Sequence, residues 1–235
     1  MLTAYETAVQ QLIQLVPSGL IPTGTLDAYI NTARNQLAAD AECIRAPASL
    51  VFTPSQQSYS ITALVTSGTG ISGSAAFTVR TAVSPNVSAI EIRSWEWFAA
   101  YYLPLPASGT PTLMAQQGQG TATTLYFWPT PNSAAGVVFD VACLPIPLVN
   151  DSTPEAIPGL WTDAVPFYAA WLAFQQLQRQ ADAQLMLARY KELAQRGRET
   201  ATPSVWPDNL PGGAGARIAA QKTTLTMQPQ QQAAG

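Results

Sequence analysis

Glu91 and Glu96 are the first residues of this chain to weigh as reacting groups. Two carboxylates held close together are what glycoside hydrolysis needs, one to donate a proton and one to attack or to activate water. Trp95, Trp97, Phe98, Tyr101 and Tyr102 lie beside them and could form a shelf on which sugar rings stack. The blander reading is a pair of solvated strand-edge charges and an aromatic cluster in the core or between subunits. Nothing else in the chain offers more chemistry. There is no histidine, which removes the commonest general base and metal ligand and forbids Ser/His/Asp and Cys/His arrangements. Cys43 and Cys143 lack CxxC spacing, which gives no support to a zinc site or redox pair; between a disulfide joining them and free buried thiols, free thiols are expected. Gly68-Thr69-Gly70 and Gly118-Gln119-Gly120 lack the strand-to-helix context of a phosphate cradle and read as turns. The expectation is therefore no enzyme, no catalytic residue, no cofactor and no metal.

Composition points the same way. Charged residues are 11% of the chain, against roughly 25% in ordinary soluble proteins, while apolar residues at 47% are normal. A surface so poor in charge is weakly protected against association. Either the surface is simply neutral or partners cover much of it. The net charge of −3 argues against strong global attraction to nucleic acid, although a wall that DNA slides past would gain nothing from strong binding. The opening stretch MLTAYETAVQQLIQLV lacks a basic segment and carries Glu6, unlike a signal peptide. No apolar run approaches the ~20 residues that span a bilayer. A soluble protein made in the cytosol, without membrane contact, is expected.

The elements that would position these residues fall into an α+β order. Leu2, Tyr5, Val9, Leu12, Ile13 and Val16 mark a first helix, stopped at Pro17–Gly19. Leu26, Tyr29, Ile30, Ala33, Leu37, Ala41 and Ile44 mark a second, ending near Arg45 before Pro47, with Asn31, Arg34, Asn35 and Asp40 on its outer face. Short β-type runs follow, from SLVFTPSQQSYSI to GVVFDVACL, separated by Gly/Ser-rich turns. SAIEIRSWEWF reads as one of them, with Ile90 and Ile92 on one face. Residues 132–136 predict an antiparallel hairpin between LYFWPTP and VVFDVACL. A connector with Pro145, Pro147, Pro154 and Pro158 leads to two helices. The first has Asp163 as a possible cap and a wide apolar face through Phe167, Trp171 and Phe174. The second restarts at Asp182, turns Leu185, Ala188 and Leu193 inward, and stops at Gly197.

The predicted architecture is thus a helical core of two N-terminal and two long C-terminal helices, an inserted antiparallel β module and an extended C-terminal tail. Its boundaries are 1–48 (helical), 49–145 (β module), 146–199 (helical) and 200–235 (tail). The tail's composition alone predicts disorder. Trp206, between Pro203 and Pro207, could anchor it in a partner's pocket, or pack on its own domain. Basic residues gather late in the chain, at Arg179, Arg189, Lys191, Arg196, Arg198, Arg217 and Lys222. Arg189, Lys191, Arg196 and Arg198 could face DNA or an acidic partner, or form a solvated helix face.

The helix LDAYINTARNQLAADAECIR, the strand SLVFTPSQQSYSI and the YFWPTP before a strand resemble the head-to-tail adaptor proteins of tailed, especially short-tailed, bacteriophages. The resemblance continues through VACLPIPLVNDSTPEAIPGLW and the two helices after it, and covers most of residues 20–200. It implies a structural virion protein at the head-tail junction, commonly a ring of twelve copies beneath the portal, with packaged double-stranded DNA passing through the lumen. Tail components (tube, nozzle or fibre) would attach below. It also implies portal contact by the C-terminal extension, where Val205, Trp206, Leu210, Arg217 and Ile218 are the candidate contacts. The Gly/Ser-rich β insertion at residues 64–125 departs from simpler members. Other readings are a tail-tube or capsid decoration protein, and a carbohydrate-active enzyme using Glu91 or Glu96.

Overall fold

The computed structural model describes residues 1–13, 21–83, 89–118 and 120–201. It falls into two units, Met1–Gln195 and Arg196–Gly235. Of the second unit the described residues are 196–201, the end of a helix. The tail candidates Val205, Trp206, Leu210, Arg217 and Ile218 lie outside the described residues.

Two N-terminal helices form as their apolar spacing requires. Helix α1 (Leu2–Leu12) buries Leu2, Tyr5 and Val9. Helix α2 (Thr23–Ala41) buries Leu26, Ile30, Ala33 and Leu37 at three- and four-residue steps. It ends earlier than the sequence suggests. Glu42 turns left-handed (φ 49°), its N–H closes on Ala38 O at 2.9 Å, and its carboxylate pairs with Arg80. Arg45, expected to end the helix, instead opens strand β1 (Arg45–Val51).

The remaining strands are β2 (Ser58–Ser60), β3 (Val65–Thr66), β4 (Ile71–Val83), β5 (Ala89–Arg93), β6 (Ser108–Gly109), β7 (Leu113–Gln117), β8 (Thr124–Trp128), β9 (Thr130–Pro131) and β10 (Gly136–Pro145). Eight of them form one curled sheet in the order β2-β8-β7-β5-β4-β10-β1-β3, and β6 pairs with β9. Strand β10 is central: Val137, Phe139 and Val141 face the core, while Val138 and Asp140 face out. Register shifts after Asp140 and Ala142 bend it against β4. The curl brings Phe52 against both Tyr59 and Phe127, at 5.7 and 4.9 Å between ring centroids, and Phe127 within 6.3 Å of Phe139. These rings form the centre of the β part of the core.

Several expectations fail here, each for a local reason. The hairpin expected between β8 and β10 is absent, because the long β10 pairs along β1 and β4 while β8 pairs with β7 and β2. Pro129 has no N–H to carry the β8 ladder further. The sheet is not wholly antiparallel, since β5 runs parallel to β7 and β6 to β9. Ile92 does not share the core with Ile90, because β4 covers β5 only as far as Ile90. The aromatic stretch after Ser94 is a helix, α3 (Trp95–Tyr101), not a strand.

The C-terminal helices pack on the N-terminal pair. A short α4 (Gly159–Thr162) follows Pro158. Asp163 lies at its C-terminal end rather than capping the next helix. Helix α5 (Val165–Gln176), with Pro166 in its first turn, buries Ala169, Ala170 and Ala173 against α1 and α2. Small side chains there let the helices approach closely. Gln178 (φ 57°) breaks the chain before α6 (Gln180–Ala201), which runs past Gly197. Helix α6 is rotated relative to the expectation: Ala183, Tyr190 and Ala194 are buried, while Leu185 and Ala188 are exposed. Tyr190 sets the rotation, donating its hydroxyl to Asp40 at 2.7 Å and packing edge-on to Tyr168 at 4.9 Å. Burial, reinforced by the Asp40 carboxylate, pushes the Tyr190 phenol above its usual range.

Candidate partner-binding surfaces

The two carboxylates singled out for chemistry sit in different surroundings. Glu91 pairs with Arg93 on the same strand. Glu96 sits in the first turn of α3, where the helix dipole favours a negative charge. Gly70 takes φ +71° and lies so close to the connector that a Cβ would meet Pro154 O at 2.8 Å and Ala156 N at 2.9 Å, so this turn is packed rather than open to a phosphate. Gly118 and Gly120 also take positive φ, at 88° and 65°, as tight turns do. Both cysteines are free thiols. Burial raises Cys43 to about 12 and Cys143 to about 11, leaving them un-ionised and poor nucleophiles near neutrality. Among the described residues no group of three or more His, Cys, Asp or Glu could hold a metal ion, and no helix is long and apolar enough to cross a membrane.

The proline-rich connector is fixed by a buried charge cluster. Arg34, placed by its sequence position on the outer face of α2, is 0% exposed. Its Nη2 and Nε donate to Glu155 at 2.7 and 3.1 Å, and its Nη1 donates to Ile146 O at 2.8 Å and Asn31 Oδ1 at 3.1 Å. Asn31 Oδ1 also accepts the Leu148 N–H at 2.7 Å, and Glu155 accepts the Ile157 N–H at 3.0 Å. Further along, Asp151 takes the Met1 ammonium at 2.7 Å and the Thr3 N–H and hydroxyl. Those hydrogen bonds hold the Asp151 carboxyl well below its usual range. Prolines leave backbone groups without regular partners, and here side chains satisfy them. The signal for Arg34 was present: it stands four residues after Ile30 and three before Leu37, inside the apolar stripe.

Among the described residues, exposed surfaces of three kinds bear on the sequence-based candidates. On α6, Leu185 is 63% exposed, with Ala181 and Ala188 on the same side at helical spacing. Leu160 and Val149 are also exposed near the connector's two ends. Of the basic candidates, Arg189 is exposed and pairs with Glu192, Lys191 is exposed, and Arg196 and Arg198 are exposed on the last turns of α6. The third surface is aromatic. Trp97 lies 5.7 Å from Tyr101 and 4.8 Å from Tyr102, and Tyr102 lies 4.6 Å from Trp128. The Arg93 guanidinium sits 4.9 Å over Trp97.

Exposed apolar and aromatic side chains of these types are the ones that contribute most to contacts with other proteins. The SU10 adaptor protein family matches residues 3–208, and the chain belongs to that family. Membership implies a structural, non-enzymatic role as a phage adaptor, with contact to portal and tail proteins. Comparison with curated proteins gives no match.

Proposed function

We propose that the protein is a head-to-tail adaptor that assembles as a twelve-copy ring beneath the portal, at the head-tail junction of the virion. DNA passes through the lumen during packaging and ejection, and tail components attach below. The protein is made in the host cytoplasm. The observation that carries this reading is the double character of α6. One side, through Ala183, Tyr190 and Ala194, is committed to the chain's own core. Another, through Ala181, Leu185 and Ala188, is apolar and exposed. A helix with two apolar stripes suits a wall shared with the next copy. The sparse surface charge supports the same arrangement.

In this scheme residues 1–48 and 146–199 form the ring body, residues 49–145 form the β module, and residues 200–235 engage the portal through Val205, Trp206, Leu210, Arg217 and Ile218. Arg189, Lys191, Arg196 and Arg198 face DNA or an acidic partner. Carboxylate pairing of the kind Arg189 makes weakens its grip on phosphate, which suits DNA that must slide. Co-sedimentation with purified portal protein tests the scheme. The full chain is expected to sediment with the portal. A chain ending at Ala201 is expected to keep its helical circular dichroism and lose that contact. Undiminished binding by the shortened chain overturns the tail assignment, and failure of the full chain to bind overturns the adaptor reading.

A further inference from the structure

The outer face of the sheet is apolar where a solvated face is expected to be polar. An antiparallel sheet with one face on the core normally turns polar side chains outward on the other. Here Val138 is 57% exposed, and Val51, Val65 and Val83 are exposed on the neighbouring strands. The register gathers them into one patch. Ser49 of β1 lies opposite both Val65 and Val138, and Val138 lies opposite Val83. Val51 follows on the same side of β1 as Ser49. One step further along the strands, Pro47, Asp140 and Thr81 form the next row, and Arg45 pairs with Asp140 there. Arg45, Pro47, Thr81, Val83, Val138 and Asp140 border an open groove of about 350 Å³.

The exposed stripe of α6 is the counterpart of this face in position, shape and charge. Ala181, Leu185, Ala188 and Glu192 recur at helical spacing and form one exposed ridge. The ridge points away from the side that buries Ala183, Tyr190 and Ala194. That buried side meets α2 through Asp40 and α5 through Tyr168, while the inner face of β10 packs on α2 as well. Ridge and valine face therefore both point away from the helices between them, and one copy cannot bring its own two patches together. A ring of more than two copies joins unlike patches head to tail, so it needs such a pair. Valine face on valine face, or α6 on α6, would pair like with like and close as a dimer.

Spacing and charge set the register of the contact. Glu192 lies about 10 Å beyond Leu185 along the ridge. On the sheet, Asp140 and Arg45 lie about 7 and 13 Å from the row of Ser49 and Val138. With Leu185 over the valine row, Glu192 therefore reaches the Arg45–Asp140 pair. Glu192 is itself paired with Arg189, so each copy brings both signs of charge to the contact.

We propose that the exposed valine face of the sheet receives α6 of the next copy, with Leu185 seated over Val138 and Val83 and Glu192 beside Arg45. This contact rests on the ring reading above and supplies its other half.

The test mixes full chains carrying Leu185→Cys with full chains carrying Val138→Cys on purified portal protein. The sample is oxidised and resolved on a non-reducing gel, with the unsubstituted chain and its free Cys43 and Cys143 as the blank. A disulfide closes only where the two Cα atoms come within about 7 Å, so a cross-link reports this contact. A cross-linked dimer is expected from the mixture and none from either variant alone. The chain carrying both substitutions is expected to give a ladder of higher oligomers. Native mass spectrometry of the same samples reads ring formation separately. A ring without the mixed cross-link overturns this contact and leaves the ring standing, whereas absence of a ring overturns both. Cross-linking by either variant alone means that like patches meet, and it overturns the contact as well. Glu192→Gln is expected to slow the mixed cross-link several-fold at low salt, an effect that high salt removes. An unchanged rate at low salt overturns the placing of Glu192 beside Arg45. If Val138→Cys lowers the melting temperature, Val83→Cys, opposite it on β4, takes its place with the same outcomes.

Discussion

The connector at residues 145–158 and the corner at residues 95–106 invert the usual rule of apolar inside and polar outside in opposite ways. The connector hides a full ion pair, Arg34 with Glu155, in the interior. The corner leaves tryptophan and tyrosine rings open on the surface. Both segments contain prolines, so neither can satisfy its backbone through regular secondary structure alone. In the connector the unmet groups are taken by side chains of α2 and the chain is fixed from within. In the corner one indole holds the loop and the other rings face out. Buried polarity marks where the fold is held, whereas open aromatic rings are apolar area that the fold itself leaves uncovered.

The sharpest way to break the connector's side of this contrast is Arg34→Ala. Removing one partner strands a buried carboxylate, which costs about 3–5 kcal/mol. For a domain of this size that lowers the melting temperature by about 6–20 °C, measurable by calorimetry. The double change Arg34→Met with Glu155→Leu should recover much of that loss, because no charge is then left unpaired. A fall of less than about 1 kcal/mol for Arg34→Ala would place the connector's hold elsewhere.

A smaller effect is expected at Gly70. Alanine there meets both the positive φ and the Pro154 carbonyl, so destabilisation above about 1 kcal/mol is expected in denaturant unfolding. Unchanged stability would mean that the connector yields to a methyl group.

Leu185→Asp separates folding from association. Leu185 is exposed, so monomer stability should move by no more than about 0.5 kcal/mol. Assembly with the portal should fail. Normal assembly would remove α6 from the wall between copies.

The smallest effect is the acid response of Asp151. Its carboxyl titrates lower in the folded chain than in the unfolded one. Its contribution is therefore present above the ordinary carboxylate pKa of about 3.9 and is lost as pH falls below it. The group is exposed, so salt should flatten the response. Asp151→Asn should reduce the slope of stability against pH below about 4. An unchanged slope would assign it to other carboxylates.

The sequence is a good guide wherever a single periodicity decides the outcome. The apolar stripes of α1, α2 and α5 and the alternation of Val137, Phe139 and Val141 carry through to the core. It is a poor guide where partners far apart in the chain decide. Arg34 stands inside the apolar stripe of α2, but its charge is read as a surface group because the partner that lets it be buried, Glu155, lies 121 positions on. The facing of α6 depends on Tyr190 meeting Asp40. Trp95–Tyr101 has the residue types of a strand, yet Ser94 leads it into a helix that rests on β7, a tertiary choice invisible to local propensity. The partnership of β10 was missed because hairpin reasoning favours neighbours in sequence, and here the longer ladders prevail. The lack of histidine is legible in composition alone, whereas the open row of aromatic rings emerges only once α3 and β8 are brought together.

Electron cryomicroscopy of the full chain bound to its portal protein bears on the whole account. The account predicts a closed ring seated on the portal, with Leu185 of α6 buried between adjacent copies and an axial lumen wide enough for duplex DNA. Isolated copies bound to the portal without mutual contact, or a ring in which Leu185 faces solvent, would contradict it.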